Sequence, residues 1–224
     1  MYFGGNLEAL TFEQLRLVMV LYTSALVPPV LLGYLYLKGL LANWVPKFYI
    51  LMIVVCAIGW EIWFSYGILF GDEISIRRSE ILNLYIPADI NWLLTSMADS
   101  GAIVCGLLWL VWGLKGRDGT IFREWNWSCF LLIMFLFVGQ NLLVEMFLYH
   151  DQLAVDKMIS WAPLSPLAHW INPILFQFEG RTVMLQTQLP WLMLTPIIYG
   201  GLIAYLGKHY PISNVDDASY REFT

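Results

Sequence analysis

Five long apolar stretches, separated by polar connections, dominate the chain. They cover roughly residues 14–41, 47–71, 91–114, 125–149 and 189–208. A helix that crosses a bilayer needs about 20 mostly apolar residues, and each stretch reaches that length. The pattern therefore predicts an all-α, polytopic membrane protein whose core is a five-helix transmembrane bundle. Pro28 and Pro29 fall inside the first stretch and predict a kink or an extra interfacial turn there.

Two of the connections are long and fall on the same side of the predicted bundle. Residues 72–90 alternate charged residues with isoleucine and leucine, which is typical of a helix lying in the membrane interface. Residues 151–188 combine prolines and tryptophans with an apolar run too short to span, and we expect a cap or shallow re-entrant segment there. Residues 1–210 are thus predicted to form one transmembrane helical domain, followed by a polar tail over 211–224.

Basic residues cluster beside the short connections and after the last apolar stretch. They are Lys38, Lys47, Lys115, Arg117, Arg123 and Lys208. Because short basic loops tend to stay in the cytoplasm, these connections are predicted to be cytoplasmic, and the N-terminus and the cap non-cytoplasmic. We therefore expect an integral, multi-pass protein of the endoplasmic reticulum in a eukaryote, or of the inner membrane in a bacterium.

Composition supports a membrane protein and excludes one class of partner. Hydrophobic residues make up 59% of the chain and charged residues 13%, against about 45–50% and 25% in soluble domains. The net charge of −5 provides no basic surface, so we expect no nucleic-acid partner. Cys56, Cys105 and Cys129 all lie inside apolar stretches, which favours free buried thiols over a disulfide framework.

Three acidic residues interrupt the apolar stretches: Glu61, Asp99 and Glu145. A charged side chain at the centre of a bilayer costs roughly 2.5–3.5 kcal/mol on insertion scales and indicates a functional site by default. From the rise of a helix, Glu61 and Asp99 both fall on the order of 12–15 Å below the outer face. Gln140 and Asn141 fall at the same depth, whereas Glu145 lies nearer the surface. We expect no lysine or arginine at the depth of this polar layer.

The acids allow two interpretations. Each acid could bond to a polar side chain of a neighbouring helix and only fix packing. We favour a functional site because Glu61 and Asp99 occur together, and a buried acid beside a second carboxylate suits proton delivery and collection. Residues three or four apart share a helix face. Phe64 and Ser65 are therefore predicted to accompany Glu61, and Thr95 to accompany Asp99.

Aromatic residues of the fifth stretch complete the candidate site, because Trp191 and Tyr199 could stabilise a cation through their ring faces. The histidines are scattered, no lysine lies mid-helix, and no phosphate-binding or nucleophile-elbow motif occurs. We therefore expect neither a metal nor a cofactor. The candidate substrate-binding residues are Phe64, Ser65, Thr95, Gln140, Asn141, Glu145, Trp191 and Tyr199.

Three short motifs carry a resemblance to a known family. They are Trp60-Glu61-Ile62-Trp63-Phe64, then Val138-Gly139-Gln140 with Glu145 and His150-Asp151, and Gln188-Leu189-Pro190-Trp191-Leu192. With its five predicted spans, the chain resembles over roughly residues 50–208 the emopamil-binding protein family, five-helix membrane proteins that include the sterol Δ8–Δ7 isomerase. Ala57 and Ala98 stand where that isomerase has a histidine and a glutamate. The Trp60-Glu61 pair is also similar to membrane-integral terpene cyclases.

Both relatives imply one chemistry, in which a proton is added to a double bond or epoxide of an isoprenoid or sterol-like lipid. Aromatic rings then hold the carbocation, here Trp191 and Phe64, and a proton is removed. On that resemblance Glu61 is the acid, Asp99 its partner or base, and Gln140 a positioning hydrogen bonder. The implied partners are a hydrophobic small-molecule lipid substrate and membrane lipids, with a homodimer left open. A non-catalytic lipid binder and a structural subunit of a larger membrane complex stay as alternatives.

Overall fold

The computed structural model describes residues 10–67, 72–154, 157 and 173–210. Its helices, in chain order, are α1 (Phe12–Leu37), α2 (Trp44–Tyr66), α3 (Ile74–Arg77), α4 (Glu80–Tyr85), α5 (Ala88–Leu114), α6 (Trp127–Gln152) and α7 (Leu185–His209). Within the described residues five helices, α1, α2, α5, α6 and α7, are long and apolar enough to cross a membrane. The prediction of five helices of that length is therefore confirmed.

Local sequence signals fix where the first helix begins. Thr11 Oγ1 accepts a hydrogen bond from the Gln14 backbone N–H at 3.3 Å, and Gln14 Oε1 accepts one from the Thr11 N–H at 3.1 Å. This reciprocal capping box satisfies two N–H groups that a helix start leaves unpaired. α1 then continues without interruption through Pro28 and Pro29, so neither proline ends the helix.

The second half of α1 packs against α5 through a close approach between Pro28 and Gly101. A Cβ atom on Gly101 would lie 2.5 Å from Pro28 Cβ and 3.2 Å from the Tyr49 ring. Real Cβ atoms essentially never show a contact as short as the one to Pro28, so any side chain at position 101 would force the two helices to shift. The missing side chain at Gly101 allows α1 to contact α5.

The main hydrophobic core lies where α2, α5, α6 and α7 meet. Val104, Ile133, Phe137 and Leu202 are among its buried side chains. α1 contributes to a smaller cluster with α5 instead, around Ala25. The first helix is therefore attached to the side of a four-helix core.

All three cysteines are free, as the sequence predicted. Cys56 and Cys129 are buried, and Cys105 is half-buried. Cys56 Sγ lies 3.5 Å from the Ser100 hydroxyl, within the contact between α2 and α5. The thiols are thus part of helix packing.

A β-hairpin precedes the last helix, so the prediction of an all-α chain is wrong in this part. β1 (Ile174–Phe178) pairs antiparallel with β2 (Arg181–Met184). Glu179 and Gly180 between them both have positive φ, 47° and 76°, which is typical of a two-residue hairpin turn. Most of the predicted cap, residues 155–156 and 158–172, and the predicted polar tail over 211–224 lie outside the described residues.

The connection between α2 and α5 also differs from the single interfacial helix that its sequence predicts. It holds the two short helices α3 and α4. Ile76 and Leu84 are exposed, as expected for an interfacial segment, but Arg77 and Arg78 are each only 2% exposed. The connection therefore folds back into the bundle and buries two arginines.

An ion-pair network joins three parts of the chain at one end of the bundle. The Asp151 carboxylate, at the end of α6, pairs with Arg16 of α1 and with Arg181 of β2. The two guanidinium groups also donate to the carbonyls of Phe147 and Met146, each at 2.6 Å. Because these carbonyls belong to the last turns of α6, the arginines cap a helix end that attracts positive charge.

Candidate functional site

An elongated cavity of about 140 Å³ lies between α1, α2, α5 and α6. Its wall on α5 runs from Asn91 to Ile103, which corresponds to about 18 Å of helix. Its wall on α1 includes Val20, which is 41% exposed on the outside of the bundle. The cavity is therefore long, and one of its lining residues is exposed on the outer surface of α1.

Glu61 and Asp99 both line this cavity. Glu61 Oε2 lies 2.5 Å from the hydroxyl of Thr95, and Asp99 Oδ2 accepts a hydrogen bond from Trp60 Nε1 at 2.8 Å. Thr95 belongs to α5 and Trp60 to α2, so the acid of each helix is hydrogen-bonded to a side chain of the other. Glu61 is 3% exposed and Asp99 is half-buried, so both carboxyl groups face the bundle interior.

Each of the three acids that interrupt the apolar stretches sits at the edge of a π-helical segment. Glu61 ends the segment Ala57–Glu61, Asp99 begins Asp99–Cys105, and Glu145 begins Glu145–Tyr149. Such segments are rare and frequently occur at functional sites. The wider turn also changes which side chains share a face, and both Trp60 and Glu61 are buried although they are neighbours in sequence.

The structure brings most of the predicted site residues together. Phe64, Thr95, Gln140 and Asn141 line the cavity with the two acids. Residues of the predicted layer from α2, α5 and α6 thus line one cavity. Ser65 does not line the cavity; it is buried beside it, and its Oγ accepts a hydrogen bond from Asn91 Nδ2 at 3.2 Å.

A second, smaller cavity of about 20 Å³ adjoins Glu61 on the side of α7. That volume is close to the minimum that holds one water molecule. Trp191 lines it, donates to Asn141 Oδ1 at 3.2 Å, and packs edge-on against Trp60 with ring centroids 5.5 Å apart. Glu61 therefore has an elongated cavity on one side and an aromatic pocket on the other.

Glu145 lies outside both cavities. Its carboxylate accepts hydrogen bonds from the Met184 N–H at 3.1 Å, the Thr187 hydroxyl at 2.5 Å and the Gln188 amide at 2.6 Å. These donors belong to the first turn of α7 and the residue before it. The position of Glu145 suits a helix cap, because a carboxylate at a helix N-terminus satisfies unpaired N–H groups.

Tyr199 lies at the other end of the bundle, contrary to its expected place in the site. Its hydroxyl donates to the Ile121 carbonyl at 2.7 Å and accepts from the Asn126 N–H at 3.2 Å. The ring packs beside Trp125, with centroids 5.1 Å apart. Tyr199 therefore ties the connection between α5 and α6 to α7.

Arg78 lines the elongated cavity too, bonded to Asn91, which lies eight residues before Asp99 on α5. Its guanidinium donates to the Ile86 carbonyl at 2.7 Å, Asn91 Oδ1 at 2.6 Å and Gln152 Oε1 at 3.3 Å. Burial, followed by the charge of Arg77, lowers the pKa of Arg78 to about 10. The group still carries its positive charge at neutral pH.

Arg77 is buried at a separate place. It donates to the Phe64 carbonyl at 2.5 Å and lies over the Phe64 ring, 4.9 Å from the centroid. Burial also lowers the pKa of Arg77 to about 10. Unlike Arg78, Arg77 does not line the elongated cavity.

Sequence reasoning missed Tyr149, Trp60 and Arg78. Tyr149 lines both cavities, and its ring centroid lies 5.6 Å from that of Phe64. Its spacing of four residues after Glu145 places both on one helix face and is the signal that the sequence carries. For Arg78 the only signal was a pair of adjacent arginines within an otherwise amphipathic connection.

The described residues contain no group of three His, Cys, Asp or Glu side chains placed to hold a metal ion. Comparison with family models, with curated proteins and with solved structures finds no match for this chain.

Proposed function

We propose that this protein is a membrane-embedded enzyme that protonates a double bond or epoxide of an isoprenoid lipid, with Glu61 as the acid. The observation that carries the proposal is the reciprocal arrangement at one cavity, in which Thr95 holds Glu61 and Trp60 holds Asp99. Two carboxyl groups facing the same ligand space can deliver one proton and accept another.

The surroundings of Glu61 support its role as a proton donor. A hydroxyl carries one proton, and Thr95 Oγ1 lies 2.5 Å from Glu61 Oε2 and 2.7 Å from the Asn91 carbonyl. Both contacts are satisfied when Thr95 donates to Asn91 and a protonated Glu61 donates to Thr95. Glu145 differs, because two N–H donors besides a hydroxyl converge on it.

The proposed reaction conserves protons. Glu61 transfers its proton to one carbon of the double bond, whose π electrons form the new C–H bond and leave a cation on the adjacent carbon. Phe64 lines the elongated cavity with Glu61, and an aromatic ring face stabilises a cation by about 2 kcal/mol when water is excluded. Trp191 lines only the small cavity on the other side of Glu61. The Asp99 carboxylate then takes a proton from a neighbouring carbon, so that a double bond forms again.

The shape of the cavity favours a slender isoprenoid chain over a sterol. A cavity of about 150 Å³ holds a molecule the size of benzene, and this one has about 140 Å³. Because the lining extends along about 18 Å of α5, we expect the cavity to take part of a linear chain more readily than the fused rings of a sterol. The exposed position of Val20 on the cavity wall is consistent with entry from the lipid side.

Isotope incorporation tests the proposal. Purified protein in lipid vesicles is incubated in D₂O with a panel of isoprenoid alkenes and epoxides, and products are analysed by mass spectrometry. We expect a deuterated isomer or cyclised product, and loss of one proton-transfer group lowers such rates by about 10²–10⁴-fold, so Glu61→Gln and Asp99→Asn should lose turnover. Asp89→Asn, an exposed acid on the same helix as Asp99, is the matched control. Absence of product with a lipid retained on purification would instead support a non-catalytic binder.

A further inference from the structure

Arg78 has hydrogen-bonding capacity that its protein neighbours do not use. A guanidinium has five N–H donors, and Arg78 uses three of them in hydrogen bonds to Ile86, Asn91 and Gln152. Its Nε is buried and has no hydrogen-bond partner in the described part of the chain. A buried donor without an acceptor costs about 1–3 kcal/mol, so an additional acceptor at this place is favourable.

The charge of Arg78 is likewise uncompensated. All three acceptors are neutral carbonyl oxygens, and among the described residues the salt bridges involve only Asp151 with Arg16 and Arg181. The charged neighbour that acts on Arg78 is Arg77, which is also positive. Because burying a charge without an opposite charge is strongly unfavourable, the site selects for an anion.

We propose that Arg78 binds the oxyanion head group, a phosphate or a carboxylate, of a lipid whose chain enters the elongated cavity. Arg78 is 2% exposed and lines that cavity beside Asn91 and Gln152. A guanidinium is suited to such a group because its planar fork matches two oxygens of a phosphate or carboxylate. The inference rests on the proposed function for the proton transfer at Glu61 and Asp99, but binding of the head group at Arg78 does not require turnover.

The position of Arg78 would also select which bond of the chain reacts. Arg78 is bonded to Asn91, and Asp99 lies eight residues further along the same helix, about 12 Å away along the axis. A head group held at Arg78 therefore sets the distance from the head to the double bond that meets Glu61 and Asp99. A shorter or longer lipid of the same head group would present a different bond.

Binding of matched ligands tests this inference. Farnesyl monophosphate, farnesol and inorganic phosphate are titrated into the protein in a non-ionic detergent, and affinity is measured by calorimetry. We expect the phosphate ester to bind roughly 10- to 100-fold more tightly than the alcohol, as for a charge-assisted hydrogen bond, with inorganic phosphate weaker than either. Inorganic phosphate binding as tightly as the ester would show a free-anion site and contradict a lipid head group.

Two substitutions separate Arg78 from the rest of the fold. Arg78→Gln should abolish the preference for the phosphate ester, whereas Arg77→Gln, equally buried one residue away but outside the cavity, should retain it. Gln152→Glu places a carboxylate beside the guanidinium, and this variant should also lose the preference while keeping Arg78 and its packing. Gln152→Glu therefore tests whether Arg78 recognises the head group even if Arg78→Gln does not fold.

The outcomes also distinguish this inference from the proposed reaction. Glu61→Gln should keep the preference for farnesyl monophosphate over farnesol, although it forms no product. A preference that survives in both Arg78→Gln and Gln152→Glu would overturn the head-group site and leave the proton-transfer proposal intact. Selective binding that depends on Arg78, with no turnover of any substrate, would support the head-group site and contradict the enzyme.

Discussion

The indole Nε1 of Trp60 donates a hydrogen bond of 2.8 Å to Asp99 Oδ2, across the contact between α2 and α5. The same indole ring packs edge-on against Trp191 of α7, with centroids 5.5 Å apart. One side chain therefore orients the second acid of the cavity and is itself held by the aromatic pocket beside Glu61. Among the described residues, the Trp60 indole is the side chain that donates a hydrogen bond to the Asp99 carboxylate.

Replacing this indole by a phenyl ring should impair the proposed reaction without unfolding the protein. Trp60→Phe keeps an aromatic ring against Trp191 but removes the donor to Asp99. A hydrogen bond to a charged group contributes about 1.5–3 kcal/mol, so we expect product formation in D₂O to slow roughly 10- to 100-fold. Trp109→Phe, at a position that is 69% exposed, should leave the rate unchanged. Equal rates for both variants would mean that Asp99 needs no orientation by Trp60.

The membrane-length helices and the polar layer were predictable because both depend on simple periodic properties. Apolar runs of about 20 residues identify the helices. Counting the helical rise from their ends predicts a common depth for Glu61, Asp99, Gln140 and Asn141, and all four line one cavity. Neither step needs knowledge of how the helices pack.

The remaining features depend on departures from that regularity. Predictions of which side chains share a helix face assume a rotation of about 100° per residue. The π-helical segment Ala57–Glu61 departs from that rotation. α-Helical geometry therefore does not predict Trp60 as a site residue. Arg78 lies in a polar connection, and its sequence does not reveal that the connection folds back into the bundle. The hairpin did leave a signal, because Glu179-Gly180 separates two short runs of strand-forming residues.

The packing of α1 on α5 predicts opposite results for two glycine substitutions. Gly101→Ala would bring a methyl group to 2.5 Å from Pro28 Cβ, and overpacking of this kind costs about 1–3 kcal/mol. Gly113→Ala, in the same helix, meets no atom within 4 Å and should be neutral or stabilise the helix by up to about 1 kcal/mol. Thermal unfolding in detergent measures both. A Gly101→Ala variant as stable as the unmodified protein would contradict the close approach of the two helices.

Asp151 should contribute to stability through both of its arginine partners at once. Its side chain is fully buried, whereas those of Arg16 and Arg181 are 37% and 27% exposed. Solvent screening places the cost of Asp151→Asn between that of exposed and buried ion pairs, at about 2–3 kcal/mol. In a double-mutant cycle, Asp151→Asn should cost at least about 1 kcal/mol less when Arg181 is already glutamine. Additive costs would show that the Asp151–Arg181 pair contributes nothing to stability.

The two buried glutamates should respond differently to the same substitution. Glu145 accepts hydrogen bonds from Met184, Thr187 and Gln188. In Glu145→Gln, one of the accepting oxygens becomes an NH₂ group, which would face these donors and could not accept their hydrogen bonds. We expect a loss of about 2 kcal/mol, or about 4–8 °C in the melting temperature of a chain this long. In Glu61→Gln the amide can still donate to Thr95 while that hydroxyl donates to the Asn91 carbonyl, so the melting temperature should change little although turnover is lost. If Glu61→Gln destabilised the protein as much as Glu145→Gln, both acids would be structural and the proposed catalytic pair would lose its support.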